Sequence, residues 1–170
     1  MFVIANEMVQ EGYSVLMMDT DIIFRKSPIP HLMALMEEPE YKHLDFVGQW
    51  TGRGADPKSP INTGFVFFRS TQRTKTFTQT LRNAIAIRPE QSDQLYFNTI
   101  LRHKDFSFLN FEMFHSEKFY KRGSHAKHIP EKKIMYHAVG PGKQKKFGLY
   151  NDWYLNKNCS FYKFFKDDGK

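Results

Sequence analysis

At 170 residues and 20.1 kDa the chain has the size of one ordinary domain, long enough to bury roughly 70% of its unfolded surface. A composition 41% hydrophobic and 25% charged excludes disorder, and no run approaches the roughly 20 apolar residues of a membrane helix. The single Cys159 excludes an internal disulfide and a cysteine-cage zinc site, while 25 Lys and Arg against 18 Asp and Glu give +7, a surface suited to anionic partners such as nucleic acid, phosphates or acidic membranes.

Helical and strand-like pieces alternate, which predicts an α/β domain over residues 1–170, with a core to about 155 and a tail over 156–170. No secretory leader is expected. Met1, Ile4, Ala5, Met8 and Val9 share a helical face, and Gly12 stands where that helix would stop. Ser14-Val15-Leu16-Met17-Met18 is apolar on both faces and predicts a buried strand of a parallel sheet, ending in Asp19-Thr20-Asp21. Pro30 opens a short helix with Leu32, Leu35 and Met36. Asp45–Gln49 reads as a strand, residues 50–61 as a Gly- and Pro-containing loop, and Gly64–Phe68 as a second apolar strand. Residues 71–87 form a helix with Phe77, Leu81, Ala84 and Ile85 in register, closed by Pro89. Ser92 caps another, with Leu95, Tyr96, Thr99 and Ile100 at helical spacing. Beyond it, short aromatic strands mix with basic loops, and a last helix is expected over about 144–155. A helix ahead of a parallel strand normally crosses over from an earlier strand. The opening helix is therefore either added cover or what remains of a front end that this chain lacks.

Asp19 and Asp21 are the sharpest feature. Positions i and i+2 of a strand share a face, at a Cα separation of roughly 7 Å. At the C-terminal end of a parallel strand they would stand in the crevice where open α/β sheets bind ligands. Two carboxylates there repel each other and gain from a divalent cation, and hard oxygen ligands suit Mg²⁺ or Mn²⁺ with phosphate oxygens completing the shell. Two enzyme classes place acids after such a run. Haloacid-dehalogenase-like phosphatases use the first Asp as nucleophile, but they want Thr or Val where Ile23 stands, and a later acidic strand end where this chain has only Asp167-Asp168 in a polar tail. Glycosyltransferases that use nucleotide sugars are the other class.

Met18-Asp19-Thr20-Asp21-Ile22-Ile23-Phe24-Arg25-Lys26-Ser27-Pro28 resembles the nucleotide-diphospho-sugar transferase domain, the family that includes plant cell-wall xylosyl- and arabinosyltransferases. Asn62-Thr63-Gly64-Phe65 with Phe68-Arg69-Ser70-Thr71 is similar to its second block, and Ser92-Asp93-Gln94 with Phe97-Asn98 to its third. His137-Ala138-Val139-Gly140-Pro141-Gly142-Lys143 resembles the closing His-x-x-Gly-x-x-Lys of related galactosyltransferases. The resemblance implies a type-A glycosyltransferase fold, Rossmann-like, with a mostly parallel central sheet flanked by helices and short of its N-terminal strands. It implies transfer of a sugar from a nucleoside-diphosphate donor to a glycan or other hydroxyl acceptor, with retention favoured. Asp19, Asp21 and His137 would hold Mn²⁺ or, less typically with an imidazole ligand, Mg²⁺. Asp19 would also reach the donor ribose. Gly140 and Gly142 let backbone approach a phosphate, and Lys143 adds a point charge that Lys145 and Lys146 reinforce. Asn62 and Gly64, ahead of their strand, would line the sugar or acceptor pocket, and Trp50 would stack on a sugar face. Asp93 would hold hydroxyls or act as a base, with Gln94 near the anomeric carbon. Related plant enzymes work in the Golgi lumen behind an anchor, and a chain without one would be cytoplasmic.

Two other function classes compete. Phe119 and Tyr120 among Lys118, Lys121, Arg122, Lys127, Lys132 and Lys133 interleave aromatics with positive charge, as single-strand nucleic-acid binders do. No recognised nucleic-acid module accompanies them, so a nucleic-acid partner is not expected. A catalytically inactive scaffold of the same fold is the other.

Overall fold

The computed structural model describes residues 2–20, 22–24, 26–50, 60–113, 119–122 and 135–138. The opening helix, α1 (Phe2–Gln10), stops at Gly12, whose φ of 98° is the left-handed conformation glycine adopts without strain. Gly12 N–H donates to Val9 O at 3.1 Å and Tyr13 N–H to Met8 O at 3.0 Å, which is the Schellman closure. The buried face differs from the expected one. Phe2, Ala5, Asn6 and Val9 turn inward, while Ile4 is 68% exposed. Asn6 explains part of the rotation: its Oδ1 accepts from the buried Thr78 hydroxyl at 3.0 Å, so a polar side chain faces in with its partner.

Strand β1 (Val15–Met18) follows as expected, then the short β2 (Ile22–Phe24) and helix α2 (Ile29–Glu37), which buries Leu32, Leu35 and Met36. Next come β3 (Phe46–Trp50), β4 (Ile61–Phe68), α3 (Gln72–Ile87) and α4 (Asp93–Leu101). Strands β5 (Phe111–Met113), β6 (Phe119–Arg122) and β7 (Met135–Ala138) complete the described elements. Ser92 takes the N-cap position of α4 without a side-chain cap bond, and the helix buries Phe97 and Asn98 rather than Leu95, which is 55% exposed.

The sheet corrects one expectation. Strand order is β1-β4-β3-β5, with β4 antiparallel to both β1 and β3, and only β3 and β5 are parallel. A second sheet, β2-β7-β6, has one antiparallel and one parallel pair. The described sheets are thus mixed rather than the mostly parallel Rossmann-like arrangement. The reason is the path of β4, which enters between β1 and β3 and runs against both. β1 and β3 keep a common direction but are not neighbours. β1, paired on one side only among the described residues, buries Met17 but leaves Met18 49% exposed, so it is not the fully buried strand its apolar run suggested.

Helices α1, α3 and α4 cover one face of the larger sheet. There Phe46, Phe68, Phe77 and Phe97 meet at ring separations of 5.1–6.2 Å, and Phe111 stacks on Phe46 at 4.9 Å. Offset and edge-on contacts at these distances add to simple burial. On the other face Val47 and Phe65, with Met135 of β7, cluster with Leu32, Leu35 and Met36 of α2. The expected helix over 144–155 lies outside the described residues, as do residues 51–59 and most of the basic segment from 114 to 133.

Candidate active site

The register between β3 and β4 breaks near the start of β4. Gly48 pairs with Val66, but the next residue, Gln49, pairs with Asn62. Residues 63–65 of β4 are therefore extra, an irregular bulge longer than the usual single residue. The bulge switches the alternation of side chains. Ile61 joins the helix-covered core, Phe65 the opposite one, and Val66 and Phe68 the first again. Asn62, expected between the loop and the strand, accordingly lies inside β4, which begins three residues before the expected start at Gly64. Gly64 N–H donates to Asn62 Oδ1 at 2.9 Å, a local loop that a regular strand would not make.

At this bulge β4 receives the first carboxylate. Asp19 follows β1 directly, and its N–H donates to Gly64 O at 2.8 Å. Its side chain is 42% exposed. From the second sheet comes His137, on β7, 1% exposed and paired in register with Ile22. His137 Nε2 lies 3.7 Å from Asp19 Oδ2. That is too long for a hydrogen bond. Two atoms that each bind one Mn²⁺ or Mg²⁺ at roughly 2.1 Å stand roughly 3 to 4 Å apart, so a carboxylate oxygen and an imidazole nitrogen at this spacing suit a shared cation.

Gly64 makes that approach possible. A Cβ built there would overlap Asp19 Oδ2 and His137 Cε1 and stand 2.9 Å from Asn62 Oδ1. Any side chain would push apart the two groups that the sheets bring together.

The far side of His137 is also held. Its Nδ1 lies 2.7 Å from Oε1 of Gln49, a residue only 2% exposed. Gln49 was read from the sequence as part of a strand and given no role. The one available signal was a polar residue at the end of the apolar run Phe46-Val47-Gly48, since a buried amide must find a partner.

Helix α4 meets the same stretch of β4. Gln94 Oε1 accepts from Thr63 N–H at 3.2 Å, between Asn62 and Gly64. Asn98, one turn later, clamps Ile61 from both sides, accepting from its N–H at 2.7 Å and donating to its O at 2.9 Å. Asp93 instead lines a cleft of about 360 Å³ with Phe2, Val3, Ile85, Pro89, Gln91 and Ser92. Trp50 ends β3, opposite Ile61. Asp21, Gly140 and Lys143 lie outside the described residues, although Ile22, next after Asp21, is the register partner of His137. Among the described residues no three His, Cys, Asp or Glu side chains gather, so Asp19 and His137 stand as a pair. No helix among them is long and apolar enough to cross a membrane.

No curated protein matches this chain. The family description "nucleotide-diphospho-sugar transferase" matches residues 1–147. That span takes in β1 and the Asp-x-Asp segment, the β4 bulge, the start of α4 and His137. The chain therefore belongs to the nucleotide-diphospho-sugar transferase family.

Proposed function

We propose that this chain transfers a sugar from a nucleoside-diphosphate donor to a hydroxyl acceptor, a glycan or polysaccharide, using a divalent cation held by Asp19, Asp21 and His137. The observation that carries the reading is the 3.7 Å approach of His137 Nε2 to Asp19 Oδ2 across the one backbone position, Gly64, where a Cβ would separate them. A buried imidazole beside a half-exposed carboxylate offers one borderline and one hard ligand, a set that suits Mn²⁺ better than Mg²⁺. Such a cation supplies positive charge to the leaving diphosphate.

The protein groups divide the remaining work. Asp19 holds cation or donor ribose. Gly140 gives close backbone approach to the diphosphate and Lys143 adds charge there. Asn62 and Gly64 border the sugar, Trp50 stacks on a sugar face, and Gln94 faces the anomeric carbon. Support for Gln94 comes from its bond to Thr63 N–H, which ties the start of α4 to the bulge. In the reaction the anomeric C–O bond to the diphosphate breaks, a bond to the acceptor oxygen forms, and the acceptor proton passes to the departing diphosphate or, where the acceptor enters the cleft that Asp93 lines, to Asp93. Retention of anomeric configuration is the favoured outcome.

The test is donor hydrolysis and transfer with Mn²⁺ across a panel of nucleotide sugars. The expected result is turnover of at least one donor, abolished by chelation and by His137→Ala. An intact, folded protein that neither binds nor turns over any of them refutes the proposal.

A further inference from the structure

Buried polar side chains need a reason to be where they are. Gln49 sits 2% exposed at the bulge, and among the described residues its Nε2 has no hydrogen-bond partner. Its one polar contact there is Oε1 against His137 Nδ1 at 2.7 Å, between residues 88 apart in sequence. An amide oxygen can only accept, so this contact places the imidazole proton on Nδ1. Nε2 then carries the ring's lone pair, and Nε2 is the atom that faces Asp19. Metal-bound histidines are commonly oriented this way, through a hydrogen bond made by the other ring nitrogen.

We propose that Gln49 is a positioning residue: by accepting Nδ1–H of His137 it fixes the tautomer and ring plane that present Nε2 beside Asp19. As a ligand-orienting device this rests on the metal-dependent reading above, but the tautomer it sets exists without any metal. The strand geometry supports the assignment. Gln49 is where β3 resumes pairing after the bulge, opposite Asn62, so the irregularity that seats Gly64 under Asp19 and His137 also places Gln49 against the ring.

Two measurements separate the claims. In ¹⁵N-labelled, metal-free wild-type protein, two-bond ¹H–¹⁵N correlations should show His137 protonated at Nδ1 and bare at Nε2. A neutral ring protonated mainly at Nε2 overturns the proposal, because it means the amide donates to Nδ1 instead. In Gln49→Leu the Nε2–H form should grow, and Mn²⁺ affinity, read by titration calorimetry, should fall about 10- to 100-fold. Gln49→Glu, which keeps an acceptor, should retain the Nδ1–H form. A folded Gln49→Leu protein with wild-type tautomer and Mn²⁺ affinity also overturns it. Should that variant fail to fold, the wild-type spectrum still decides. Wild-type protein that shows Nδ1–H yet takes up no Mn²⁺ refutes the metal reading and supports Gln49 as the residue that sets the tautomer.

Discussion

The two halves of β4 do opposite things with one strand. From Phe65 to Phe68 it is a core strand, with Phe65, Val66 and Phe68 at 0% exposure and, from Val66 on, sheet neighbours on both sides. From Ile61 to Gly64 it is polar, its pairing with β3 is interrupted, and side chains from α4 take over backbone bonds that a regular ladder would satisfy. The apolar half gains from removing surface from water, which is indifferent to fine position. The polar half places individual atoms, and its energy is spread over a few directed bonds. Changes in the first should cost stability, and changes in the second should cost function at smaller stability cost.

The largest effect should come from the core. Phe46 packs against four rings, stacked on Phe77 and Phe111, edge-on to Phe97 and tilted to Phe68, and Phe46→Ala should destabilise by about 3–5 kcal/mol in denaturant unfolding. At the other end of the comparison, Asp19→Asn or His137→Ala should lower Mn²⁺-dependent turnover by about 100-fold or more, about 2.7 kcal/mol, with a smaller loss of stability for the half-exposed Asp19 than for His137. If either left turnover unchanged, the polar half would not be the site. Gly64→Ala should weaken Mn²⁺ binding by about 10-fold or more while costing about 1–3 kcal/mol through overpacking, since its neighbours are the site groups themselves. Asn98→Ala removes both bonds to Ile61 and leaves a buried N–H and C=O unpaired, for about 2 kcal/mol by thermal unfolding. Smallest is Thr71→Ala, away from β4. Thr71 Oγ1 accepts from Thr74 N–H at the start of α3 at 3.2 Å and donates to Oδ1 of the buried Asp45 at 2.7 Å, and because Asp45 keeps Arg73 as partner, losing the hydroxyl should cost about 1 kcal/mol.

Local features were readable in the residues. Gly12 and the apolar spacing of Leu32, Leu35 and Met36 announce a helix end and a helix face, because caps and 3.6-residue periodicity act within one element. Faces were misjudged where a polar residue found a distant partner, as Asn6 did in Thr78. Of the expected site, Asp19, Gly64, His137 and Gln94 do converge on one stretch of β4. Residues 61–63 were left out of the strand because a bulged segment rich in Asn, Thr and Gly has the composition of a loop. Gln49 went unnoticed because its role depends on a partner 88 residues away.

By itself, then, the sequence determined α1 to α4, the apolar strands β1, β3 and β4, the family and the residue types available for chemistry. Strand direction, the three-residue bulge in β4 and the meeting of Asp19 with His137 were decided by tertiary structure. The physical reason is that side-chain direction in a strand alternates with register. One irregularity in pairing reassigns every following residue to the other face, and that irregularity is set by neighbours remote in the chain.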